Sequence, residues 1–191
     1  MSSSTTTLVR QSWAGLRAML VLTVLLGLLY PALVWGIGQV VARDQAGGSL
    51  VRVGGSVVGS SLLGQQWVGD EWFHGRPSAS DYAGDTSGGT NLSGSALTDE
   101  VAKRARAAGL DASAARTLPP DALTASASGL DPDVSPAYAL SQVERVASAR
   151  GLDPARVREL VVGHSAGRQL GFLGEPRVDV LDLNLALARQ S

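Results

Sequence analysis

Between Arg17 and Arg43 the chain carries no charge: residues 18–42 read AMLVLTVLLGLLYPALVWGIGQVVA. An α-helix rises about 1.5 Å per residue, so this stretch is long enough to cross a hydrocarbon core of about 30 Å. A cleavable signal has a shorter apolar core, of about 7–15 residues, followed by a small-residue cleavage site. Val40-Val41-Ala42-Arg43 is a poor one. The reading is therefore a retained signal-anchor, against a cleaved signal or a buried globular helix. Trp13, Tyr30 and Trp35 suit the membrane interfaces, where aromatic rings are favoured. Pro31 removes a backbone donor and predicts a kink. Ala32 and Gly36 make a small-xxx-small pair on one face, through which another membrane helix can approach; the plainer account is that small residues are common in such a span.

Orientation is nearly tied on positive charge, with Arg10 and Arg17 on one side and Arg43 and Arg52 on the other. A very short tail before a first span usually stays in the cytoplasm. The expected organisation is a cytoplasmic tail over 1–17, a transmembrane helix over 18–42 and a linker over 43–49. A soluble extracytoplasmic domain then fills 50–191.

That last part is long enough to bury its own core. The net charge of -1 gives no sign of a polyanion partner, so no nucleic acid partner is expected. Without cysteine there is no disulfide, thiolate metal site or cysteine nucleophile. Lys103 is the lone lysine, a composition bias with no functional content.

The domain reads as short strands and segregated helices, an α+β class without internal repeats. The tail 1–7 is Ser/Thr-rich and reads as disordered. Strands are expected within 50–58 and 61–64, an aromatic turn region over 67–82, and a Gly/Ser loop over 86–94. Thr98, Asp99 and Glu100 suggest a helix start, Leu97, Val101, Ala105 and Ala108 a buried face, and Gly109 a stop. A Pro/Ser-rich loop is expected over 118–136. Ser135 with Pro136, and Asp153 with Pro154, are cap-plus-N1 pairs that open two helices, closed by Gly151 and Gly163. The first buries Leu140, Val143, Val146 and Ala147; the second shows Val157, Leu160 and Val161, with Leu152 and Val157 as a hydrophobic staple. A strand over 177–181 and a helix capped by Asp182 and running to Ala188 complete the expectation.

Four patterns invite a chemical reading. Gly163-His164-Ser165-Ala166-Gly167 fits G-x-S-x-G, but a nucleophile elbow needs a strand before it, a helix after it and a later histidine. The preceding stretch reads as a helix, and His164 is the last of two histidines. His74 has no neighbours at metal-ligand spacing, so no metal site is expected. Arg145, Arg150, Arg156 and Arg158 make the helix pair around Gly151 look like a helix-turn-helix, offset by Glu144, Asp153 and Glu159; a packed αα-hairpin is the better reading. Ser87-Gly88-Gly89-Thr90-Asn91 is a glycine loop just before a helix, where free N–H groups can hold a phosphate. It is not a Walker A loop, and a plain surface loop competes with nucleotide contact.

Several blocks in order carry a resemblance: Ser61-Leu62-Leu63-Gly64-Gln65, Phe73-His74-Gly75-Arg76-Pro77-Ser78-Ala79, Ser87-Gly88-Gly89-Thr90-Asn91-Leu92, Thr124 to Pro132, Ser135-Pro136, and Leu170 to Val178. Behind one N-terminal span, this order resembles the C subunit of the Kdp potassium-transporting ATPase over nearly the whole chain. The resemblance implies a subunit without its own turnover in an ATP-driven potassium uptake complex. Its partners would be a channel-like potassium-binding subunit, a P-type ATPase subunit and a small single-span subunit, within a lipid bilayer. It also implies assembly of the complex and a catalytic-chaperone effect on nucleotide affinity. Ser87, Gly88, Gly89, Thr90 and Asn91 are the candidate nucleotide contacts, and Ala32 and Gly36 the candidate membrane-partner contacts. No cofactor of its own is implied, with ATP shared with or reached through the ATPase subunit. Consistently, the sequence has no D-K-T-G-T and no T-V-G-Y-G. Ala127 and Asp133 depart from the family pattern, which has glycine and histidine there. An extracytoplasmic domain could not meet cytoplasmic ATP, so the expected chaperone effect is indirect. The alternative is a stand-alone anchored binding module or hydrolase.

Overall fold

The structure, a computed structural model, describes residues 2–107 and 116–190. The chain divides into two compact units, Met1–Ser49 and Leu50–Ser191.

The first unit is helical. Helix α1 (Ser2–Val24) passes through a π-turn (Leu25–Leu29) into α2 (Tyr30–Val41), and a single turn, α3 (Arg43–Ala46), follows. The stretch Thr7–Val41 is long and apolar enough to cross a membrane, and its most apolar window has no buried residue. The expected disorder over 1–7 is corrected: the helix begins at Ser2, because Ser and Thr continue a helix that a long apolar segment has already nucleated. The π-turn ends two residues before Pro31, with Tyr30 between them. A proline ring crowds the carbonyl four residues back, and the widened turn relieves that crowding: the Tyr30 N–H donates to Leu25 instead.

The second unit opens with a hairpin of β1 (Leu50–Val53) and β2 (Ser56–Ser60), turning at Gly54-Gly55 with both glycines at positive φ. The strand expected over 61–64 is absent; Ser60 caps a turn there, its hydroxyl accepting from the Leu62 N–H. Helix α4 (Gly94–Ala107) starts earlier than Thr98; the Thr98 hydroxyl bonds back to the Gly94 carbonyl instead of capping. The expected stop at Gly109 lies outside the described residues. The loop expected over 118–136 contains a 3-10 turn (Pro120–Ala122) and ends in β3 (Asp133–Val134).

The single helix expected between Ser135 and Gly151 is two, α5 (Pro136–Ser141) and α6 (Val143–Arg150), with Gln142 between them. Ser135 caps α5 by accepting from the Tyr138 N–H, and is itself held by the Asp121 carboxylate at 2.6 and 3.0 Å. Gly151, at φ 65°, ends α6 with the Leu152 N–H reaching the Ala147 carbonyl. Asp153 caps α7 (Pro154–Gly163). Short strands β4 (Ser165–Ala166) and β5 (Arg177–Asp179) follow, then α8 (Val180–Ala188). Asp179, not Asp182, caps α8, and the expected strand over 177–181 stops there: the Asp179 carboxylate accepts from the Asp182 N–H at 2.9 Å.

The three short strands form an antiparallel sheet in the order β3-β5-β4. Its middle residue Val178 is fully buried, and around it close Val134, Val143, Val146, Val157, Val161, Leu183 and Leu187. Helices α5 to α8 supply most of this core, and Phe73, from the loop before them, is 1% exposed.

Candidate functional site

Phe73 and His74 belong to a segment without helix or strand, so their backbone groups need partners from elsewhere. Two buried amide side chains supply them. Asn184 on α8 accepts from the Phe73 N–H and donates to the Phe73 carbonyl, both at 2.9 Å. Gln142 does the same for His74, at 2.8 and 3.1 Å. Each amide thus acts as a one-residue strand, matching donor to acceptor on both sides. Arg145 adds bonds to the Asp70 and Trp72 carbonyls, and Arg150 to that of Glu71 while lying 4.4 Å from the Trp72 ring centroid. Neither amide stood out in the sequence. The available signal was an asparagine on the otherwise apolar buried face of α8, with Val180, Leu183 and Leu187.

The glycine loops assemble on this anchored segment. The Ser78 hydroxyl donates to the Gly129 carbonyl at 2.6 Å and accepts from the Tyr82 N–H. The Tyr82 hydroxyl donates to the Arg76 carbonyl, and burial pushes its pKa up to about 12. Arg76 pairs with Asp131 at 3.2 Å. On the outer side, the Ser128 carbonyl accepts both the Gly88 N–H, at 2.8 Å, and the Ser87 hydroxyl, at 3.1 Å. A Cβ on Gly89 would stand 3.0 Å from the Ala127 carbonyl oxygen, so the two backbones touch closely. The loop therefore brings Ser87, Gly88 and Gly89 against 127–129, while Thr90 and Asn91 are exposed and Asn91 holds φ 52°. Two of its polar hydrogens already have acceptors inside the domain.

The remaining patterns resolve locally. Ser165 lies on a strand that follows a helix, the reverse of a nucleophile elbow, and its hydroxyl donates to the Val161 carbonyl. The four arginines of the helix pair are engaged within the domain: Arg145 and Arg150 as above, Arg156 with Gln190 and Arg158 with Glu144. Asp133 pairs with Arg177 at 3.1 Å, two positions along β5 from its strand partner Asp179. Ala32 and Gly36 line an exposed apolar groove on α2 with Leu33, Ile37 and Val40; a Cβ on Gly36 would meet no atom within 4 Å.

His74 holds its ring Nε2 2.8 Å from the Gly69 carbonyl, and burial lowers its pKa below the usual 6.5. A histidine with a depressed folded pKa stabilises above its unfolded value and loses that stabilisation as pH falls through the folded one. The His74 ring resonance should therefore titrate by NMR with a midpoint below 6.5; a midpoint above it would mean the ring is not desolvated.

A model of the family described as K+-transporting ATPase, c chain, matches residues 12–189. The chain belongs to the KdpC family. A relative from Kineococcus radiotolerans is 50% identical over 193 residues, covering 98% of this chain and 97% of its own length. Others from Koribacter versatilis and Burkholderia orbicola are 48% and 51% identical over 171 and 175 residues, each covering 87% of this chain and 88% and 90% of their own. All three are named potassium-transporting ATPase KdpC subunit. Members of the family are subunits of a P-type ATPase complex and not its catalytic subunit.

Proposed function

We propose that this chain is a non-catalytic subunit of an ATP-driven potassium uptake complex, anchored in the membrane by residues 18–42. The observation that carries this reading is the family match over 12–189, with relatives similar along almost their whole length. Its partners are the channel-like potassium-binding subunit, the P-type ATPase subunit and the small single-span subunit. Two surfaces serve assembly. One is the groove at Ala32 and Gly36, where close van der Waals packing can hold a second membrane helix. The other is the β1–β2 hairpin, a two-stranded sheet with exposed Leu50, Val53, Val57 and Val58. Its open strand edges call for water or a protein partner.

The finer role is that of a catalytic chaperone that raises the ATP affinity of the ATPase subunit. The N-terminus is cytoplasmic and the second unit extracytoplasmic in this reading, so the effect passes through the complex. Loop 87–91 supports an indirect route, since the Gly88 N–H and Ser87 hydroxyl already donate to Ser128. Pull-down of a tagged chain from detergent-solubilised membranes tests the assignment. The large subunits should co-purify in fixed ratio, and Gly36→Leu should reduce their recovery several-fold while Leu28→Ile does not. Recovery of no such partner would sink the assignment. Saturable ATP binding by the chain alone, lost in Gly88→Val and Gly89→Val, would replace the indirect route with a direct one.

A further inference from the structure

The turn between β4 and β5 carries three exposed apolar side chains within four residues. Leu170 is 81% exposed, Phe172 69% and Leu173 48%, side by side at the tip of a tight turn. Leu170 and Gly171 both hold positive φ, 53° and 82°. A leucine seldom adopts that backbone region, and here the result is an apolar side chain held in the open. We propose that this tip, Leu170-Gly171-Phe172-Leu173, dips into the lipid interface of the membrane in which the chain is anchored.

Three observations favour lipid over a protein groove. The first is the backbone. The Gln169 and Leu173 N–H groups donate to each other's carbonyls at 2.9 and 2.8 Å, the Gly171 N–H donates to Arg168 and the Phe172 N–H to Gln169. A segment entering apolar surroundings must satisfy its backbone internally, and most of this turn's N–H groups are so satisfied. The β1–β2 hairpin, with open edges, does not meet that condition. The second is charge. No charged side chain lies within 169–174, and the two that flank it, Arg168 and Glu175, pair with each other at 2.7 Å. That places a neutral apolar tip beyond a polar base, the arrangement of a shallow interfacial anchor. The third is reach. The apolar helix ends at Val41 and β1 starts at Leu50. The intervening segment spans at most about 30 Å even if fully extended. A domain tethered so closely meets the bilayer at a high effective concentration, so a tip of a few side chains suffices. The proposal rests on the anchoring reading above.

The chain has no cysteine, so single cysteines report cleanly. Full-length protein carrying Phe172→Cys, Leu170→Cys, Ser148→Cys or Leu28→Cys is labelled with an environment-sensitive fluorophore. Each is reconstituted into vesicles of phosphatidylcholine and phosphatidylglycerol, with and without spin-labelled lipids whose quencher sits shallow for sites 148, 170 and 172 and mid-chain for site 28. Leu28→Cys reports the span, and Ser148→Cys an exposed site on α6. The proposal expects label at 172 and 170 to be blue-shifted and quenched at least threefold more strongly than at 148. Equal quenching at 170, 172 and 148, with strong quenching at 28, overturns the tip insertion and leaves the anchor intact. No quenching at 28 overturns the anchor and the proposal with it. A blue shift at 172 that needs the other subunits and shows no lipid quenching assigns the tip to a protein groove and also overturns it.

Discussion

Replacing Asn184 with alanine should destabilise the second unit by about 2–5 kcal/mol, because it strands both backbone groups of Phe73 in a dry core. Each buried group left without a partner costs about 1–3 kcal/mol, and the methyl of alanine repairs neither. Asn184 and Phe73 are both essentially inaccessible to water, so solvent cannot fill the role without opening the core. Asn184→Asp separates the two halves of the clasp. A carboxylate still accepts the Phe73 N–H but cannot donate to its carbonyl, and it buries a charge as well. Chemical unfolding followed by near-UV circular dichroism is the measurement, with Ser148→Ala as an exposed control expected within about 0.5 kcal/mol of the parent. Alanine at 184 behaving like the control would show that the amide clasp does not hold the Phe73 segment.

Gly129→Ala is the second large effect. The residue holds φ 70°, and a Cβ there would stand 2.5 Å from the Ser80 hydroxyl oxygen and 2.9 Å from the Gly88 carbonyl oxygen. The first can rotate away; the second is backbone and cannot. Backbone strain and the clash together should cost about 2–4 kcal/mol. The loss should be local first. Loop 87–91 is pushed off Ser128, so limited proteolysis within it should accelerate by at least tenfold. Gly88→Ala is the sharp comparison, since a Cβ there meets nothing within 4 Å and its φ is not in the left-handed region. If both variants are cut at the same rate as the parent, the loop does not depend on its seat against 127–129.

These two residues mark where the sequence was legible and where it was not. Helix starts at Ser135-Pro136 and Asp153-Pro154 were readable because capping chemistry is local: the hydroxyl or carboxylate bonds an amide two or three residues on. The glycine loops were visible as glycines, but the partners they face lie 38 to 49 positions away, from Gly89 against Ala127 to Gly129 against Ser80, with the bond from Ser87 to Ser128 between. Periodicity carries no such information. It also smoothed over Gln142, which interrupts α5 and α6 and faces inward among Ala139, Val143 and Val146. Pattern reasoning treats a polar residue inside a helical run as surface; a buried amide betrays itself only by breaking an apolar face. The short strands β3 and β4 were missed because two residues are too few for an alternating pattern, and their pairing with β5 is what defines them.

The clasp also sets an order of events. Phe73 waits for Asn184, 111 residues later, and His74 for Gln142, 68 residues later. Contacts so distant along the chain come late, after the entropy of closing a long loop has been met. During synthesis the segment around Phe73 leaves the ribosome well before either amide exists. It must stay open, with an aromatic side chain exposed, until α8 arrives to complete the core. A chain stalled or cut ahead of residue 184 would therefore present quality-control proteases with an unfinished domain, whichever of its earlier helices had already formed.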